Sequence, residues 1–217
     1  MSKLTLPLLG VGGAGIASAG GYMIFSEKGD THTKKPETFR SKYAPAILGV
    51  EDKLWDSKFT SFKQSGNPKH PTLASAKSKS SPTEDSGAKD LYKRGCQEIY
   101  DSVWEGSSYF DDFKSYCAKT VKEGIGNSKT WISEEATTKG KWDTKLTSLK
   151  THNQTQNKVL DKKLEDLKIQ ISSLTEDKLE EKHRKLLKEW CSSSQGEIFM
   201  GNGDPIVTHS TLYCVEP

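Results

Sequence analysis

Trp55-Asp56-Ser57-Lys58-Phe59-Thr60-Ser61-Phe62-Lys63 recurs as Trp142-Asp143-Thr144-Lys145-Leu146-Thr147-Ser148-Leu149-Lys150, with six identities in nine positions. In each copy the large apolar residues step by four and then three, which places Trp55, Phe59 and Phe62, and likewise Trp142, Leu146 and Leu149, on one helix face. Self-similarity at this distance marks a duplicated unit. Two further echoes follow in the same order: Leu91-Tyr92-Lys93-Arg94-Gly95-Cys96 against Leu186-Leu187-Lys188-Glu189-Trp190-Cys191, then Tyr116-Cys117 against Tyr213-Cys214. Each half therefore reads tryptophan helix, variable spacer, cysteine-bearing helix and Tyr-Cys. The spacer from tryptophan to first cysteine is 41 residues in one half and 49 in the other, while the cysteines lie 21 and 23 apart.

An even cysteine count beyond an export-like segment favours disulfides. Of the three connectivities open to four cysteines, the repeat favours Cys96 with Cys117 and Cys191 with Cys214, so that each half carries its own brace. Loops of this size gain about 3 kcal/mol from cross-linking in the chain-entropy model. Four reduced, partly buried thiols are the plainer alternative. A zinc site from Cys191, Cys214, His183 and His209 lacks any C-x-x-C and matches no common finger spacing; no metal or cofactor is expected.

Outward from the first tryptophan, Tyr43 to Gln64 reads as an amphipathic helix with Val50, Leu54, Trp55, Phe59 and Phe62 on its apolar side. Ser65 to Gly87 holds Pro68, Pro71 and Pro82 among many serines, a composition read as a disordered insert over 65–87. Ala88 to Trp104 and Tyr109 to Val121 are helical, stopped by glycines. The first helical unit is thus set at 43–122 and the second at 131–217, joined near Gly124 to Lys129. In the second, Leu160, Leu164, Leu167, Ile171 and Leu174 form an a/d seam too short for a free coiled coil, so 155–190 is expected as a helical hairpin or coiled-coil segment packed internally. Ser173 with Glu176 is set to cap a helix whose face carries Leu179, His183, Leu186, Leu187 and Trp190. Asn202-Gly203, between Ile198-Phe199-Met200 and Pro205-Ile206-Val207, predicts a short β-hairpin near the C-terminus.

Leu4 to Phe25 is twenty-two residues without a charge. As a helix it reaches about 33 Å, enough for a hydrocarbon layer of about 30 Å. Ala17-Ser18-Ala19 also reads as a signal-peptide cleavage site, but the apolar run continues through Tyr22-Met23-Ile24-Phe25, which suits an uncleaved anchor over 1–26. Gly10, Gly12 and Gly15 spell G-x-G-x-x-G, yet no strand precedes them and no βαβ pattern follows. Gly13, Ala17 and Gly21 make a small-residue stripe on which two anchors could pack. Residues 27–42 read as a polar stalk. Lys28, Lys34, Lys35 and Arg40 pull toward a cytoplasmic orientation, whereas export signal and cysteines together place the C-terminal region outside. The fold class is mainly α: an N-terminal transmembrane helix, then two related small helical units.

Thirty-two basic and twenty-nine acidic side chains leave a net charge of +3, too even a balance for a nucleic-acid binder. A mean hydropathy of −0.70 implies thin cores. G-x-S-x-G, H-E-x-x-H, Walker and EF-hand patterns are all missing, so no catalytic or cofactor-binding residue is assigned. His183, His209 and the acids of Glu176 to Glu181 are the only material for the alternative of an exported enzyme or enzyme accessory. Asn153-Gln154-Thr155 has the form of a glycosylation acceptor. The expected partners are a membrane and either a host protein or a second copy through the anchor, with no small-molecule substrate identified.

The opening Met1-Ser2-Lys3-Leu4 with its Gly/Ala-rich anchor, the Trp-Asp-x-Lys helix, Trp190-Cys191 and the terminal Tyr213-Cys214 resemble the large paralogous families of uncharacterised membrane-anchored proteins in haemotropic mycoplasmas. The resemblance covers most of the chain through short motifs. It implies a membrane protein of a wall-less, blood-dwelling bacterium, exposed at the cell surface and varied among paralogues, and it brings no catalytic residue with it.

Overall fold

Both tryptophan segments are helical, and the helices around them repeat in the same order. The computed structural model describes residues 36–64, 67–80, 87–126 and 128–216. The anchor over 1–26 and the stalk as far as residue 35 lie outside the described residues. No helix among those described is long and apolar enough to cross a membrane. In order come α1 (Phe39–Lys42), α2 (Leu54–Gln64), α3 (Pro71–Lys79), α4 (Ala88–Asp101), α5 (Phe110–Asp112) and a π-helical turn (Phe113–Cys117). Then follow α6 (Val121–Ile125), β1 (Thr130–Trp131), α7 (Lys141–Lys150), α8 (Gln154–Asn157), α9 (Lys162–Ile171), α10 (Glu181–Gln195), α11 (Pro205–Tyr213) and β2 (Val215–Glu216).

Hydrogen bonds locate the repeat more closely than the side chains do. Thr38 and Thr120 are each the N-cap of a short helix with a reciprocal capping box, the partner being Ser41 in one case and Glu123 in the other. In the first half the Phe39 amide donates to Ser102 O at 3.1 Å and the Trp104 amide to Glu37 O at 3.2 Å. In the second, the Val121 amide donates to Glu197 O at 2.8 Å and the Phe199 amide to Lys119 O at 2.9 Å. Each half thus runs from a Thr-capped turn (α1 or α6) through a tryptophan helix (α2 or α7), a spacer helix (α3 or α9) and a cysteine helix (α4 or α10). A segment then returns to the opening turn before the last helix. The indoles agree: Trp55 Nε1 donates to Gly49 O at 2.7 Å and Trp142 Nε1 to Glu134 O at 2.9 Å. The repeat boundary therefore falls between Ala118 and Lys119 rather than in the expected joint at Gly124 to Lys129.

Several other expectations are corrected. Glu37 to Lys42 belong to the first unit and not to a stalk, because Phe39 is fully buried in its core. The expected disordered insert contains α3, which buries Leu73 and Ala76, turns Ser75, Ser78 and Lys79 outward, and sends Lys77 back to the Phe62 carbonyl of α2 at 3.0 Å. It lies so close to α4 that a Cβ on Gly95 would sit 2.8 Å from Leu73 Cδ2. Overall composition predicted disorder; two apolar residues three apart, facing a glycine, were enough for a helix. The expected C-terminal hairpin is replaced by α11: Asp204 Oδ1 accepts from the Ile206 amide at 2.9 Å and Pro205 takes the first turn, so the Asp-Pro cap overrides the Asn-Gly signal. The antiparallel pair is instead Thr130 with Glu216 and Trp131 with Val215. Val50 and Leu186 are exposed, not buried. The cap expected from Ser173 is not made: Glu176–Lys178 form a separate 3₁₀ turn, and the helix carrying His183 and Trp190 is capped by Glu180.

Leu164, Leu167 and Ile171 pack inside the second core as half of a helical hairpin with α10, as the seam implied. Each half has its own apolar cluster, one including Phe39 to Ala118 and the other Ile132 to Val215. Residues from Pro36 onward nevertheless form one unit. Lys58, nearly buried, reaches Glu123 at 2.9 Å, Lys114 meets Glu197 at 2.8 Å, and the Lys119 amide donates to Ala46 O at 2.8 Å. Ile198 from the second half packs on the first core.

Candidate functional site

The four cysteines pair as Cys96–Cys117 and Cys191–Cys214, with Cα separations of 5.3 and 5.5 Å. All are buried, so the bonds brace the units and offer no surface thiol chemistry. Each ties the cysteine helix to the end of its own repeat. In the first half the wide π turn leaves carbonyls for two tyrosines of α4: Tyr92 donates to Tyr116 O and Tyr100 to Cys117 O, the latter at 2.6 Å. Burial pushes both phenols well above their ordinary value, so they serve as neutral donors.

Of the residues set aside for catalysis, His183 meets the acid segment only at the Glu180 backbone amide, and His209 has other partners. His183 Nδ1 accepts the Glu180 amide at 3.1 Å and closes the first turn of α10, and burial holds its pKa below the usual imidazole value. His209 lies in α11, where Nε2 donates to Asn157 O at 3.0 Å and burial likewise depresses its pKa. Glu176, Asp177, Glu180 and Glu181 face solvent. Among the described residues no group of three or more His, Cys, Asp or Glu is arranged to hold a metal ion. Asn153, in the glycosylation-like triplet, is exposed and uses its side-chain oxygen to cap α8, accepting from the Thr155 amide at 2.9 Å.

Sequence reasoning missed a different cluster. His152 follows α7, and its Nε2 donates to Lys158 O at 2.8 Å, which leaves Nδ1 to accept from the Tyr213 hydroxyl at 2.6 Å. His209 stands edge-on to His152 with ring centroids 5.5 Å apart, and Trp190 Nε1 donates to Asp161 Oδ2 at 2.5 Å. The only hint in the sequence is the one-turn spacing of His209 and Tyr213 on α11. Every polar atom named here is engaged, and burial pushes the Tyr213 phenol up to about 12, far from a nucleophile at neutral pH. The cluster clamps the 157–161 turn, where Lys158 is held at φ 70°.

The two halves differ most at the corner between the opening turn and the last helix. In the first, Tyr43 packs its ring 5.1 Å from Phe113 and 6.1 Å from both Phe110 and Trp104, with the Lys42 ammonium 5.0 Å over the Trp104 ring. At the matching places the second half has Ile125 for Tyr43, Gly124 for Lys42 and Phe199 for Trp104. Counting back from the paired cysteines, Val207 and Ser210 stand for Phe110 and Phe113. Phe199 folds over Gly124, whose Cβ would lie 2.1 Å from the ring. Where the first half has rings, the second has a cavity of about 430 Å³ between the end of α6 and α11, with Lys129 and Asn202 at its edge. That volume is within the range of small-ligand sites.

Comparison with protein-family models, with curated proteins and with solved structures finds no match.

Proposed function

We propose that the chain is a membrane-anchored, surface-displayed protein without enzymatic activity, whose two braced units contact host molecules or vary antigenically. The observation that carries this reading is the pair of disulfides, each closed within its own repeat and sealed in its core. Such bonds persist in oxidising surroundings and suit small units that must hold their shape outside a cell. The apolar segment Leu4 to Phe25 supplies the anchor, and the polar residues after it the spacer. The non-enzymatic part is supported by the placement of His183 and His209, both buried and committed to backbone partners: His183 accepts from the Glu180 amide, while the Glu180 carboxylate pairs with Lys182 in solvent, and His209 is held by Asn157 O. Protease shaving of intact cells tests the display: residues 43 to 217 should be digested while cytoplasmic markers survive. Protection in intact cells, with digestion after lysis, would replace this reading with a cytoplasm-facing scaffold.

A further inference from the structure

We propose that the cavity between α6 and α11 is a binding site for a small aromatic carboxylate, one flat ring system carrying one acid group. The protein itself supplies the size of the occupant. The first repeat closes the same corner with the Tyr43 ring, packed edge-on to Trp104 and tilted against Phe110 and Phe113, and the second repeat has Ile125 at the Tyr43 position, with room left over. Ring-sized space with an apolar wall of Ile125, Val207 and Leu212 favours a flat aromatic group over a flexible chain, since a rigid ring loses little freedom on entering.

The charge follows from the edge of the cavity. Lys129 contributes an ammonium there, and a second lies beyond the wall, since Lys145 donates to the Leu212 carbonyl at 3.0 Å. Burial, and then the charge of Lys129, lower the pKa of Lys145, while Glu216 opposes them and is itself held by Lys141 at 2.5 Å. A carboxylate beside Lys129 would relieve that crowding of positive charge. Thr208 and Thr211 also line the cavity but spend their hydroxyl protons on Asp204 O and Val207 O, at 2.9 and 2.8 Å, so the acid group belongs beside Lys129 and not against them. Asn202 is a further lining residue, and its side chain is of a type that can donate to an acid.

This inference stands on the geometry of one repeat and does not depend on which side of a membrane the chain faces. Isothermal titration calorimetry of the full chain with indole-3-acetate and with indole-3-acetamide tests it. The acid should bind saturably with one site, and the amide about ten-fold more weakly, a ratio set by one charge-assisted hydrogen bond. Lys129→Gln should erase that ratio while leaving the thermal midpoint unchanged. Ile125→Tyr, which rebuilds the ring of the first repeat, should abolish binding of both. Equal binding of acid and amide, retained binding in Ile125→Tyr, or no saturable heat at millimolar acid would each overturn the proposal. A short peptide ending in tryptophan separates two sources of the same chemistry: binding weaker than the free acid supports a small molecule, and binding as tight would overturn that in favour of a protein chain end.

Discussion

Asp56 with Lys89 and Asp143 with Arg184 occupy the same two places in the repeat, each cation seven residues before the first cysteine of its half. In the first half the pair lies in water, with the Asp56 side chain 81% exposed. In the second it is buried: Arg184 reaches Asp143 at 2.9 Å, and the same guanidinium donates to Ala136 O at 2.6 Å and Leu179 O at 3.2 Å. A lysine at that place could not serve three acceptors in fixed directions. Gly95 and Trp190 differ in a related way. Glycine lets the spacer helix α3 settle on α4, whereas Trp190 holds the second half's spacer by its indole, on the Asp161 carboxylate that also caps α9. The duplication keeps its backbone hydrogen bonds and its disulfide. What fills the corners has diverged, toward aromatic packing in one unit and toward polar clamps and an open cavity in the other.

The largest expected effect breaks that comparison at the ion pairs. Arg184→Ala leaves the Asp143 carboxylate buried without its partner and should cost about 3–5 kcal/mol, read as a fall in thermal midpoint. Lys89→Ala should leave the midpoint where it is, and equal losses in the two variants would contradict the difference drawn between the halves. Gly124→Ala comes next. Its Cβ would displace the Phe199 ring from 2.1 Å, for about 1–3 kcal/mol, while Lys42→Ala at the equivalent place should cost under about 1 kcal/mol, one exposed cation–π contact. If both are silent in denaturant melts, the Phe199 strap does not hold the second unit closed.

The smallest effect is in pH. His183 and His209 have depressed values in the folded chain, so as pH falls through about 6.5 the unfolded chain takes the protons first. Stability conferred by these groups is whole above that pH and is lost below it, down through the folded values. The midpoint of the wild-type chain should fall between pH 7 and pH 5, and His209→Gln should flatten that slope in part. An unchanged slope would mean that the imidazole facing His152 and Asp161 is not the group titrating.

Much of this was legible in sequence. The tryptophan helices, the hairpin of α9 with α10 and the pairing of the cysteines follow from apolar spacing and from the ordered echoes. The spacer helix α3 was not, because composition averaged over 65–87 hides a two-residue apolar face that depends on Gly95 of another helix. The hairpin expected at Asn202-Gly203 lost to a cap, Asp204-Pro205, lying one residue further on. The repeat boundary was hidden because around the shared threonines, Thr38 and Thr120, little else matches: the capping partners are Ser41 and Glu123, and Phe39 and Val121 differ in size. Nor could the cavity be read: it is the absence of rings at Ile125 and Val207, visible only once the two units are laid side by side.

The central claim, two copies of one unit with a brace in each, is most directly tested by peptide mapping of the intact chain without reduction, after alkylation of free thiols at acid pH. The account predicts two cross-linked peptides, one joining Cys96 to Cys117 and one joining Cys191 to Cys214. A bridge between the halves, or four alkylated cysteines in protein taken directly from cells, would contradict it.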